Sequence, residues 1–263
     1  MSAVRNFVSQ GRKIVAIGRN FSEHAKELNN PVPKSPFFFL KPTSSYLVSG
    51  GNVEIPKGCD VHHEIELCVV VGKEARDLRA SDAFDYVAGE RLLTFCLSIF
   101  LMQAKGYALG IDMTARNLQA EAKKKGLPWS MAKGFDTFTP IRYVMHVPDL
   151  CLVVVIPLLI SLLLRDVYCF DIDVTSPSSL LDNVLKQQGN TSDMIFNIPT
   201  LLEFVTSIMR LEPGDLLMTG TPAGVGPIQP GQTITAGLKV GSSETDLMQV
   251  RFGIVERKGE ARL

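Results

Sequence analysis

The chain has 263 residues, enough for one large domain or two small ones. Lys plus Arg and Asp plus Glu each number 27, so no overall basic face is on offer and a nucleic-acid partner is disfavoured. The five cysteines, at 59, 68, 96, 151 and 169, form no C-x-x-C pair, which argues against a structural zinc site or a disulfide framework and fits a reducing compartment.

Arg5, Arg12, Lys13 and Arg19 precede the first acidic residue, Glu23, a faint mitochondrial-presequence composition with no secretory signal peptide. Lys13–Ile17 reads as a strand ending at Gly18, and Phe21–Leu28 as a helix ended by Asn29-Asn30-Pro31. Pro36–Leu40 is an aromatic strand closed by Lys41-Pro42, and Gly50-Gly51-Asn52 turns the chain into a short strand, Val53–Ile55. His63–Val71 alternates and then becomes continuously apolar, as a buried strand does. A short helix is expected over Ala80–Tyr86, a strand over Tyr107–Ile111 and a helix over Thr114–Lys125. A further helix, Leu201–Met209, follows Pro199-Thr200, and Glu212-Pro213-Gly214-Asp215 turns into the strand Leu216–Thr219. Val225–Thr235 carries turn signals, and Met248–Val255 is the last strand. Short strands with few helices predict an α+β fold, mainly β.

Two apolar runs stand out. Leu92–Met102 reads as a buried or misplaced segment. Leu150–Leu164 is shorter than the roughly 20 apolar residues of a spanning helix and contains Pro157, so a membrane partner is not the expectation.

Glu64 and Glu66 sit two apart, so in a strand both carboxylates face one side. Such a pair at the head of an apolar strand is either a solvated acidic edge or half of a site for a hard cation such as Mg²⁺ or Mn²⁺. Asp112, just after the strand Tyr107–Ile111, is a candidate third ligand, although spacing alone cannot bring it to the pair. His62-His63 lacks partners at zinc-site spacing, and His63 reads as structural. His24 and Glu27 are helical neighbours. They form either an exposed ion pair, the reading that sequence alone favours, or a carboxylate-oriented general base. Thr219–Gly226 is glycine-rich without a P-loop or dinucleotide fingerprint, and reads as a tight loop bringing backbone N–H groups and a Thr hydroxyl against a small anionic substrate, with a plain β-turn as the alternative.

Together these segments resemble the fumarylacetoacetate hydrolase family. The resemblance is carried by GRNFSEHAKEL (18–28), FFFLKPTSSYL (37–47), HHEIEL (62–67), GYALGIDMTARNLQAEAKKKGLPWSMAKGFDTFTPI (106–141), GNTSDMIFNIPTLLEF (189–204) and GDLLMTGTPAGVGPI (214–228). It implies a mixed β-roll and sandwich spanning residues 1–263 as a single catalytic domain, commonly a homodimer. It implies Mg²⁺ or Mn²⁺ on Glu64, Glu66 and Asp112, a catalytic set of His24, Glu27 and Lys133, and substrate contacts from Arg19, Gln119 and Thr221. The implied activity is metal-dependent cleavage of acylpyruvates with oxaloacetate decarboxylation, on a small anionic keto acid, in the mitochondrion or cytoplasm. A keto–enol tautomerase is the second reading. A third is an inactive aberrant isoform or a membrane-associated chain, because segments of about 90–105 and 149–183 depart from the family pattern as translated introns would.

Overall fold

The computed structural model describes residues 6–90, 104–143, 170–175, 184–238 and 248–259. The runs Leu92–Met102 and Leu150–Leu164, and His146, lie outside the described residues. Among the described residues no helix is long and apolar enough to cross a membrane.

The fold is α+β and mainly β. A seven-stranded sheet carries β1 (Ile14–Ile17), β2 (Phe38–Lys41), β3 (Tyr46–Val48), β6 (Ile65–Val70), β9 (Tyr107–Ile111), β11 (Thr139–Tyr143) and β14 (Leu216–Met218), in the order β2-β1-β14-β6-β9-β11-β3. A five-stranded sheet carries β4 (Asn52–Ile55), β12 (Phe170–Thr175), β13 (Val184–Gly189), β16 (Thr233–Leu238) and β17 (Met248–Glu256). Three short strands, β5 (Val61–His63), β10 (Thr114–Ala115) and β15 (Gly226–Pro227), form a third sheet, and β7 (Gly89–Glu90) pairs with β8 (Ala104–Lys105). The helices are α1 (Phe7–Gln10), α2 (Ser22–Glu27), α3 (Arg116–Lys125), α4 (Ser130–Lys133) and α5 (Ile198–Ile208).

β6 is the central strand, buried at every residue between antiparallel β14 and β9. Its alternation separates two environments. Ile65 and Leu67 pack with Leu109, Ile111 and the five-stranded sheet (Ile234, Phe252, Ile254). Cys68 and Val70 face Ile14, Ala16, Ala108 and Met218 on the other side. α5 covers Val15, Val69 and Leu217 with Leu201, Leu202 and Val205.

Several boundaries differ from expectation. The strand predicted over His63–Val71 breaks at Glu64, leaving β5 to pair with β10 and β15 while β6 pairs within the large sheet. The helix predicted from Thr114 starts at Arg116, because Thr114 and Ala115 pair with His62 and Val61. The helix α5 begins at Ile198, before Pro199. Asn197 caps it by accepting from the Thr200 N–H, and proline is tolerated in a first turn whose N–H groups have no helical acceptor. The turn-rich stretch from Val225 holds β15 and the start of β16.

Candidate active site

The β6–β9 register assembles the carboxylates. Ile65 pairs with Ile111 and Glu66 with Gly110, so Asp112, one residue past β9, lies beside Glu64, whose carbonyl accepts the Asp112 N–H at 2.7 Å. Three-dimensional pairing thus supplies what sequence spacing could not. One oxygen from each of Glu64, Glu66 and Asp112 lies within 4.8 Å of the others. The three residues are 6%, 1% and 1% exposed, so the solvated-edge reading of the glutamate pair does not hold.

Three cations enclose this cluster. Lys133, at the end of α4, touches Asp112 and lies 3.0 Å from Glu64 Oε2. Lys41, at the end of β2, donates to Asp112 and to the Phe138 carbonyl at 2.7 Å. Arg116, opening α3, lies 2.7 Å from Glu64 Oε1, which also accepts from the Thr114 hydroxyl at 3.0 Å. Burial opposes ionisation of Glu64, but the Lys133 and Arg116 charges outweigh it and hold its carboxyl well below the usual range. Glu66 goes the other way: burial, then the Asp112 and Glu64 charges, push it well up, against a lowering hydrogen bond from Gly220. Burial disfavours the Lys133 ammonium, yet Asp112 and Glu64 raise its pKa, whereas burial lowers that of Lys41 despite Asp112. Buried oxygens alone, one of them ionised only at a cost, fit a hard divalent cation, whose charge would relieve the repulsion around Glu66. Glu64, Glu66 and Asp112 could hold such an ion.

The loop after β14 closes the site. Gly220 has φ +98°, and a Cβ there would sit 2.7 Å from Asn20 Cβ; its N–H donates to Glu66 Oε2 at 2.8 Å. Asn20 fastens the loop to the entrance of α2, donating to the Thr219 and Phe196 carbonyls at 2.8 and 3.0 Å. In α2, His24 Nδ1 lies 3.3 Å from Glu27 Oε2. The exposed pair that sequence alone favoured holds for one member only: His24 is 4% exposed, whereas Glu27 remains at the surface. Burial lowers the His24 pKa, with Glu64 and Glu27 pulling it back up.

A cavity opens over the carboxylates, lined by Arg19, His24, Glu64, Glu66, Gln119, Lys133 and Thr221. Glu27 stands behind His24 and Asp112 behind the two lysines. Arg19 has φ +53°, and its guanidinium lies 4.9 Å over the Phe37 ring. Gln119 accepts from Arg116 at 2.9 Å. His63 is structural in its contacts, buried with Nδ1 2.9 Å from Gln187 Oε1.

Sequence reading missed Lys41, Arg116, Lys123 and Gln187. A lysine closing the aromatic run 36–40 was a signal for Lys41, and Arg116 stands in the same motif as Asp112. Gln187 had no such signal. Cys59 and Cys68 are free thiols.

Residues 13–93 and 103–254 match the family described as fumarylacetoacetate (FAA) hydrolase C-terminal. The unmatched residues 94–102 fall inside the first atypical segment. The chain is 43% identical over 260 residues to the mitochondrial oxaloacetate decarboxylase of Dictyostelium discoideum, covering 97% of this chain and 99% of that one. It is 44% identical over 262 residues to the mitochondrial oxaloacetate tautomerase FAHD1 of Arabidopsis thaliana, covering 97% and 96%. Among solved structures it resembles the yeast fumarylacetoacetate hydrolase family protein ynq8, with TM-score 0.74, 33% identity and 98% and 99% of the two chains covered. It also resembles the fumarylpyruvate hydrolase of Pseudomonas aeruginosa in complex with Mn²⁺ and pyruvate, with TM-score 0.71, 25% identity and 94% and 91% covered.

Proposed function

The chain belongs to the fumarylacetoacetate hydrolase family, a family of enzymes, and from that premise we propose that it is a divalent-metal-dependent acylpyruvate hydrolase with oxaloacetate decarboxylase activity. The observation that carries the reading is the convergence on one cavity of a buried carboxylate trio, a buried His24 held by Glu27, and several cations. Mg²⁺ or Mn²⁺, held by Glu64, Glu66 and Asp112, would supply Lewis-acid polarisation of the keto-acid carbonyl.

The chain's own residues do the rest. Arg19, Gln119 and Thr221 bind and orient the α-keto carboxylate. Glu27 holds the Nδ1–H of His24, which leaves Nε2 bare to take a proton from water. The resulting hydroxide adds to the distal carbonyl of an acylpyruvate, the C–C bond breaks, and its electron pair passes to the pyruvate enolate. Protonation of that enolate at carbon gives pyruvate beside the carboxylic acid. Lys133 keeps its charge beside the developing negative oxygen. Loss of CO₂ from oxaloacetate delivers its electron pair to the same enolate, so one site serves both cleavages.

A tautomerase reading is favoured by the name of the Arabidopsis relative, and needs only a base that moves a proton between carbon and oxygen of oxaloacetate. Mitochondrial location is supported by both relatives' names and by the basic N-terminal composition. A homodimeric, single-domain enzyme is part of the proposal, on the family resemblance.

The test is product analysis with acetylpyruvate and with oxaloacetate, each with Mg²⁺, Mn²⁺ or chelator. Metal-dependent pyruvate from both substrates supports the proposal. Enol–keto interconversion without pyruvate supports the tautomerase. Full turnover in chelator overturns the metal assignment.

A further inference from the structure

We propose that Gln187 is a positioning residue that fixes the polarity of the Thr221 hydroxyl, so that its hydrogen is offered to a substrate carboxylate. This rests on the reading of Thr221 as a substrate contact. Gln187, on β13, is 1% exposed and lies between the two segments that build the site. Its Oε1 accepts the Ile65 N–H at 3.2 Å, from the residue between Glu64 and Glu66, and lies 2.9 Å from His63 Nδ1. Its Nε2 donates to Thr221 Oγ1 and to the Pro222 carbonyl, both at 2.8 Å.

Two of these partners have only one possible role. A backbone N–H can only donate and a carbonyl can only accept, so Ile65 and Pro222 fix which end of the amide is oxygen. Two consequences follow. His63 must carry a hydrogen on Nδ1, because it meets an acceptor. Thr221 Oγ1 must accept, because it meets an N–H. A threonine hydroxyl has a single hydrogen, which is then free for the cavity that Thr221 lines. A carboxylate can only accept, so this is the polarity that a keto acid needs. An acceptor in place of the Gln187 amide nitrogen would draw the hydroxyl hydrogen to itself and turn lone pairs toward the substrate. Gln187 also ties the backbone of the carboxylate pair to the Thr221 loop, so one amide sets both the register and the polarity.

The experiment is pyruvate affinity in the presence of Mg²⁺ for the full chain and for Thr221→Val, Thr221→Ser, Gln187→Glu and the Gln187→Glu/Thr221→Val pair, with Mn²⁺ affinity measured alongside. The expected result is an affinity loss of about 10- to 100-fold for Thr221→Val and for Gln187→Glu, the usual worth of a hydrogen bond to a charged group. Thr221→Ser, which keeps the hydroxyl, should lose less affinity than Thr221→Val, and the double variant should be no weaker than Thr221→Val. Losses that multiply in the double variant overturn the proposal, as does an equal fall in Mn²⁺ affinity, the mark of a merely structural role. Weakening by Thr221→Val with none by Gln187→Glu overturns the proposal alone. Absence of pyruvate binding by the unaltered chain overturns the functional reading with it. If Gln187→Glu does not fold, the ¹⁵N spectrum of His63 in the unaltered chain decides: hydrogen on Nδ1 is required, and hydrogen on Nε2 alone overturns the argument.

Discussion

The Gly224 N–H donates to both carboxylate oxygens of Glu27, at 3.1 and 3.2 Å. A loop glycine thus holds the residue that orients His24. Its φ is +97°, and a Cβ there would lie 2.0 Å from the Lys186 carbonyl oxygen, so no other residue fits without moving the loop. Gly224→Ala should therefore free Glu27 and misalign His24, lowering kcat by about 10- to 100-fold, the cost of misplacing a catalytic group by about 1 Å. Steady-state kinetics at saturating substrate checks it, and an unchanged kcat would remove Glu27 as the orienting group.

His24→Ala should lower hydrolysis of acetylpyruvate by about 10²- to 10⁴-fold while Mn²⁺ affinity is retained. The pH profile carries the same assignment. Burial lowers the His24 pKa below its ordinary 6.5, and a base must be neutral to accept a proton. The rate is therefore full above that value, and kcat/KM declines only as pH falls through the depressed pKa. Glu27 acts to raise the pKa, so Glu27→Gln should move the acid limb to lower pH. An acid limb above pH 6.5 in the unaltered chain would contradict this origin.

Glu66→Gln separates metal binding from folding. Without a cation, burial and the Asp112 and Glu64 charges make the ionised Glu66 costly, and an amide oxygen can still accept from Gly220. The variant should thus have a metal-free Tm equal to or above that of the unaltered chain. Mn²⁺ at a hundredfold excess over its Kd stabilises a protein by about 2.7 kcal/mol, and this gain should disappear in the variant. Thermal scans with Mn²⁺ and with chelator measure both. A metal-free Tm that falls sharply would mean that Glu66 is structural.

Much of this was legible in the sequence because it is local. The buried strand around Leu67, the His24–Glu27 helix and the strand Tyr107–Ile111 each declare themselves in the spacing of a few residues. The β5–β6 break at Glu64 did not, since it depends on which sheet each half joins. Nor did the tie between Glu27 and the distant loop at Gly224, 197 positions away. Lys41 and Gln187 were missed for the same reason. Lys41 meets Asp112 across 71 positions, and Gln187 meets His63 across 124. Long-range pairing, rather than side-chain type, gives these residues their place.

Lys123 should decide between substrates with one carboxylate and those with two. It is an exposed residue of α3 at the mouth of the cavity, its ammonium 5.3 Å over the Trp129 ring. Burial lowers its pKa, and the Arg116 and Arg19 charges lower it further, so three cations crowd one opening. Arg116 is paired with Glu64 and donates to Gln119, whereas Arg19 is in no ion pair among the described residues. One free cation suits the α-keto carboxylate and the second suits a distal carboxylate. Lys123→Met should thus raise KM for oxaloacetate about tenfold, the cost of about one charge-assisted hydrogen bond, and change KM for acetylpyruvate by less than about twofold. Parallel KM measurements on the two substrates check it. Equal shifts would mean that Lys123 acts through the general field of the cavity and reads no second carboxylate.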